Sequence, residues 1–70
     1  MIRVWDRTIG DMREMPVEMY NFLKDIKLVC KKYNLSISHE DYNGVFLIEK
    51  YSEENIDWLL GASKNYKDNT

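Results

Sequence analysis

The chain has little of the material that small proteins use for cross-linking. Cys30 is its one cysteine among 70 residues, so an intrachain disulfide and a cysteine-based zinc cluster are both excluded. His39 is its one histidine, and a zinc site needs three or four ligands. We therefore expect no metal and no cofactor, and the single thiol is typical of a reducing, intracellular compartment.

Glycine and long apolar runs are scarce as well. Gly10, Gly44 and Gly61 are the three glycines, and they are too scattered to form a phosphate-binding loop. No apolar run is long enough to span a membrane, and residues 1–8 lack the apolar core of a signal peptide. The sequence predicts a cytoplasmic protein without a membrane partner.

What is present indicates one folded domain over residues 1–70. Hydrophobic residues make up 44% of the chain, charged residues 31%, and the formal net charge is −2. This composition is typical of a globular protein and argues against non-specific binding of nucleic acid. A chain this short lies near the lower limit for independent folding, so oligomerisation is a natural way for it to gain stability.

A long amphipathic helix is predicted over residues 16–33. Pro16 suits its first turn, and Asn34 suits a left-handed cap after its last turn. Residues 1–15 are predicted as an N-terminal arm, with a short strand up to Trp5 followed by a loop. The apolar residues that recur at helical spacing and form one stripe on the helix are Met19, Phe22, Leu23, Ile26, Val29, Cys30 and Tyr33.

Residues 35–51 predict a β-hairpin around Asn43-Gly44. A four-residue loop at 41–44 would pair Ile37 with Ile48, whereas a two-residue turn would shift the register by two pairs and keep the same faces. In both registers the long helix is expected to cover one face of the hairpin. The residues assigned to that covered face are Leu35, Ile37, Phe46 and Ile48.

A second helix is predicted to begin after Ser52, which suits an N-cap. Ile56, Leu59 and Leu60 are expected to face the core, the helix is expected to fray over residues 63–66, and residues 67–70 form a polar tail. The predicted fold is therefore α+β, a small antiparallel sheet with two helices in the order (β)-α-β-β-α.

Apolar residues also lie on the side of each element that faces away from the predicted core. Trp5, Ile9, Met12 and Met15 of the N-terminal arm could fold over some of them. Clustered apolar surface otherwise marks an interface, so we expect a homodimer, a host protein partner, or both. The residues assigned to this protein interface are Val17, Leu28, Val45, Leu47, Tyr51 and Trp58.

One face of the long helix is basic, with Tyr20 among Lys24, Lys27 and Lys31. An aromatic residue among lysines is a pattern found on nucleic-acid-binding surfaces, so an accessory factor that binds nucleic acid is the alternative function. A solvated helix face explains the same pattern more simply, because Glu18 and Asp25 dilute the charge.

No catalytic residues are predicted. His39 and Glu40 point to opposite faces of a strand, and Cys30 lies far from the helix N-terminus that would activate a thiol. We expect a protein that is not an enzyme. A third class, an oligomer that binds a small ligand or performs chemistry across a subunit interface, stays open from one chain alone.

The segments Cys30–Glu49 and Glu54–Leu59 resemble small uncharacterised proteins of phages and prophages of Gram-positive bacteria. The resemblance implies a bacterial host cytoplasm during phage growth. It also implies an accessory role, in which a short protein without catalytic motifs binds and inhibits a host protein or an anti-phage defence protein.

Overall fold

The computed structural model describes residues 2–67, which form two β-hairpins and two helices in the order β-β-α-β-β-α. Each hairpin is a separate two-stranded antiparallel sheet. The α+β class is confirmed, with one more strand than the sequence predicted. The elements are β1 (Arg3–Asp6), β2 (Asp11–Glu14), α1 (Val17–Tyr33), β3 (Leu35–His39), β4 (Phe46–Lys50) and α2 (Glu53–Leu60).

The prediction of a loop after the first strand is wrong, because β2 pairs with β1 in a tight hairpin. Its turn is closed locally by Asp6, whose carboxylate accepts hydrogen bonds from the Thr8 amide (2.8 Å) and hydroxyl (2.5 Å). Gly10 adopts φ 68° and donates its N–H to the Asp6 carbonyl at 2.8 Å. Strands of four residues are too short to show a clear alternation, which is why the pattern was missed.

The ends of α1 follow the sequence signals. Pro16 is the residue before its first turn, and Asn34 follows its last turn with φ 56°. The Asn34 N–H donates to the carbonyls of Cys30 and Lys31, which satisfies groups that the helix end would otherwise leave unpaired. The predicted left-handed cap is confirmed, and it turns the chain directly into β3.

The second hairpin has the register predicted for the four-residue loop. Ile37 pairs with Ile48 and His39 with Phe46. The Glu40 N–H donates to the Val45 carbonyl at 2.8 Å, which closes the loop at residues 41–44. The hairpin is joined to α2 by a polar contact at its base.

Asn55 ties α2 to this hairpin. Its side-chain amide donates to Ser36 Oγ at 3.0 Å and to Glu49 Oε2 at 2.9 Å, and its backbone N–H donates to Ser52 Oγ at 3.4 Å. The predicted cap at Ser52 is confirmed. Because the connection from β4 to α2 is only two residues long, α2 packs back against β3.

The core lies at the N-terminal half of α1 and not under the second hairpin. Val4 and Met15 of the first hairpin pack against Met19 and Leu23 of α1, with Leu59 and Leu60 of α2 at the margin. Ile56 is buried, so the predicted inward face of α2 is confirmed. Of the N-terminal residues offered as a cover for surplus apolar surface, Met15 is buried, whereas Trp5, Ile9 and Met12 stay exposed.

The second helix ends at Leu60, before the residues 63–66 over which it was predicted to fray, and Lys64 of that segment is anchored to the first hairpin. Lys64 forms a parallel bridge with Asp6, donates its N–H to the Trp5 carbonyl at 2.8 Å, and accepts the Arg7 N–H at 2.8 Å. Its side chain is 1% exposed, with Nζ 3.6 Å from Asp6 Oδ2. Lys64 Nζ also donates to the Tyr66 carbonyl. Of the predicted polar tail, residues 68–70 lie outside the described residues.

Candidate protein-binding surface

An apolar groove of about 180 Å³ runs between the C-terminal half of α1 and the second hairpin. We call it the hairpin groove. One wall comes from α1, where Asn34 turns the chain so sharply that β3 starts beside the last helical turn. The groove is lined by Val29, Cys30, Tyr33, Leu35, Ser36, Ile37 and Ile48.

This groove corrects the predicted core. Phe46 and Ile48 were expected to be covered by α1, but they are 73% and 66% exposed. The reason is the position of α1, which packs against β3 and, within residues 2–67, does not reach β4. Every residue of β4 is consequently exposed.

The same correction applies to part of the apolar stripe of α1. Met19, Leu23 and Cys30 are buried, whereas Phe22, Val29 and Tyr33 are exposed. At 100° per residue the stripe spreads over about 120° from Val29 to Leu23, and the first hairpin and α2 cover only the Leu23 side. Val29 and Tyr33 form a wall of the hairpin groove, whereas Phe22 lines a separate depression with Tyr66.

A second apolar depression of about 250 Å³ continues the groove toward the hairpin loop. Ile37 lines both, and Phe46 and Trp58 line the second one. The His39 ring meets the Phe46 ring edge-on, with centroids 5.6 Å apart. The two depressions together form one contiguous apolar surface, which is the usual mark of a binding site on a small protein.

The six residues predicted for the protein interface do not form one surface. Trp58 lines the depression beside Phe46. Val17 lies elsewhere, in a groove of about 400 Å³ with Ile2, Met15 and Tyr20.

The other four are spread over different faces. Leu28 is exposed on the side of α1 away from the hairpin groove, and Val45 and Leu47 are exposed on the face of the hairpin opposite Phe46. Tyr51 is half-buried and donates its hydroxyl to Glu53 Oε1 at 2.8 Å, which raises the pKa of the phenol.

Sequence reasoning missed Phe22, Val29, Tyr33, Phe46 and Ile48 as surface residues because it assigned them to the core. The signal that could have found them is the width of the stripe on α1. A single small hairpin cannot cover a stripe this wide along a helix of 17 residues.

In the structure, three of the four residues of the predicted basic face lie together. Tyr20, Lys24 and Lys27 line one groove of about 290 Å³, and Lys31 lies exposed one turn further along α1. The rest of that groove is apolar, with Ile2, Met15, Leu23 and Leu60. Two lysines beside an apolar groove are a weaker cationic surface than the sequence pattern suggested.

The groups that could do chemistry are dispersed. His39 Nδ1 lies 3.9 Å from Asp41 Oδ1 on the exposed hairpin loop, and Cys30 is buried. Within residues 2–67 no three side chains of the metal-ligating types form a cluster. Neither helix in that range is long and apolar enough to cross a bilayer.

Comparison with known proteins finds no protein family, curated protein or solved structure that matches this chain.

Proposed function

We propose that this chain is a small non-catalytic binding protein that acts by occupying a protein partner through the hairpin groove. The observation that carries the proposal is the contiguous apolar surface of Val29, Tyr33, Ile37, Phe46 and Trp58, much of it uncovered on the isolated chain. Aromatic residues in this number are typical of the residues that dominate binding energy at protein interfaces.

The biological setting of the proposal comes from the resemblance of the sequence to small phage and prophage proteins. We infer a phage-encoded inhibitor of a host protein or of an anti-phage defence protein, working in the bacterial cytoplasm. An inhibitor of this kind needs no catalytic group, because it acts by covering a surface of its target.

The test uses two neighbouring residues of α1 that are almost equally exposed but point to different sides. Val29 is 52% exposed and lines the groove, and Leu28 is 56% exposed on the far side. Tagged wild type, Val29→Lys and Leu28→Lys are used to capture protein from lysates of phage-infected bacteria. We expect wild type and Leu28→Lys to recover the same host protein in stoichiometric amount, and Val29→Lys to lose it.

Circular dichroism checks that both variants are folded, and a wash at high salt separates apolar capture from electrostatic capture. If Val29→Lys recovers as much host protein as wild type does, the binding site lies outside the hairpin groove. Recovery of nucleic acid that the high-salt wash removes would favour the alternative function of the basic face.

A further inference from the structure

We infer that the free edge of β4 pairs with β4 of a second copy, so that two chains build one four-stranded antiparallel sheet. This inference goes beyond the proposed function, because it names a partner for the free strand edge and leaves the hairpin groove open. It is carried by the backbone of β4, the side chains beside it, and the area that they expose.

The edge of β4 is open. Within residues 2–67, β3 is the one strand that pairs with β4, and α2 reaches β4 through the hydrogen bond from the Asn55 side chain to Glu49 Oε2. In an antiparallel pair the bonded positions alternate, and the Glu40–Val45 bond fixes Leu47 and Glu49 as the residues of β4 bonded to β3. The N–H and C=O groups of Phe46 and Ile48 and the N–H of Lys50 therefore point away from the sheet and can pair with another strand, whereas the Lys50 carbonyl also accepts a hydrogen bond from Ser36 Oγ at 2.7 Å.

β4 can pair with β4 of a second copy about a two-fold axis at Ile48, in a register in which the facing side chains are chemically compatible. Ile48 then lies opposite its own copy, and Phe46 lies opposite the partner copy's Lys50. Phe46, Ile48 and Lys50 share one face. On that face Ile48 meets the partner copy's Ile48, and the Lys50 side chain can lie over the ring of the partner copy's Phe46. No like charges lie directly opposite each other in this register.

The two-fold axis also places the two hairpin grooves on the same side of the sheet. The axis runs perpendicular to the sheet, and α1 packs on the same face as Ile48 in each copy. With strands about 4.8 Å apart, the two β3 strands lie about 14 Å apart, with one α1 beside each. The result is a trough with a floor of Phe46 and Ile48 from both copies and walls of Val29 and Tyr33.

Side chains beside the free edge expose apolar area that a second copy can reach. Tyr33 and Phe46 expose about 270 Å² together, taking about 200 Å² for a whole aromatic side chain. Val29, Ile48 and the edge backbone add to this toward the roughly 800 Å² per partner of a specific interface. A second copy pairs the free edge and covers part of this apolar surface, and the remainder lines the trough.

The experiment uses Ile48→Pro, because the N–H that proline lacks is directed away from β3. The variant keeps every hydrogen bond within its own hairpin, and proline is tolerated on edge strands. It removes two hydrogen bonds from the symmetric interface, one from each copy. We expect dimerisation to weaken about 30-fold or more in sedimentation equilibrium. Ile48→Lys, which brings two lysines together at the axis, is expected to have the same effect.

Leu28→Lys is the matched control and should sediment like wild type, at twice the 8.4 kDa of one chain. In hydrogen exchange, the Ile48 amide of wild type should be protected in concentrated protein and should lose that protection on dilution. A wild type that stays monomeric well above micromolar concentration overturns the inference. A dimer that keeps its affinity in both Ile48 variants also overturns it. Neither result affects capture of a host protein through Val29, so the proposed function is tested by a separate experiment.

Discussion

Leu23→Ala and Ile48→Ala delete the same number of carbon atoms from two positions that the sequence alone assigns equally to the core. Leu23 is 5% exposed and packs among Val4, Met15 and Met19, so its truncation leaves a cavity and should cost about 2–5 kcal/mol. Ile48 is 66% exposed, so only about a third of the deleted atoms are covered. At about 0.8 kcal/mol per buried methylene, that loss is about 0.8 kcal/mol.

Urea denaturation followed by circular dichroism measures the difference. With a slope near 1 kcal/mol/M for a protein of this size, Leu23→Ala should lower the midpoint by about 2 M or more, and Ile48→Ala by less than about 1 M. The measurement is made at two protein concentrations, because loss of a dimer would add a concentration-dependent term for Ile48→Ala. Equal losses at low concentration would refute the placement of the core.

Three further outcomes are expected. The pKa of Asp6 is lowered to about 2, chiefly by the hydrogen bond from the Thr8 hydroxyl. The stability that this carboxylate provides should therefore be complete above pH 4 and lost as the pH falls through 2. In a pH titration of unfolding, Asp6→Asn should lack that acid transition. Asn34→Gly should preserve the melting temperature and Asn34→Ala should lower it, because φ is 56° there and the left-handed region costs alanine about 1 kcal/mol. Wild type should bind duplex DNA weakly, with a log–log salt slope of about −3 from Lys24, Lys27 and Lys31; sub-micromolar binding that Lys24→Glu abolishes would restore nucleic acid as the leading function.

The features of the fold that depend on neighbouring residues could be predicted from the sequence. The ends of α1, the left-handed cap at Asn34 and the cap at Ser52 all follow from interactions over a few residues, and the second hairpin adopts one of the two registers that the sequence left open. Each of them is decided by local stereochemistry, which a sequence pattern reports directly.

The contacts between distant segments could not be predicted in the same way. Lys64 is buried against Asp6, 58 positions away, whereas lysine side chains are normally exposed to solvent. Its burial is compatible with the fold because Asp6 balances the charge and the Tyr66 carbonyl accepts a hydrogen bond. No periodicity in the sequence encodes such a pairing, and the strands of the first hairpin that it secures are too short to show an alternation of their own.

The error about Phe46 and Ile48 has a different origin, and it bears on function. An amphipathic pattern shows that a face needs to be removed from water, but it does not show what removes it. In this chain the first hairpin and α2 cover Met19 and Leu23, and α1 reaches β3 without reaching β4. The part of the pattern left uncovered is therefore the part most in need of a partner. Where local pattern and observed burial disagree in a folded chain, the residues concerned are the first place to look for a binding surface.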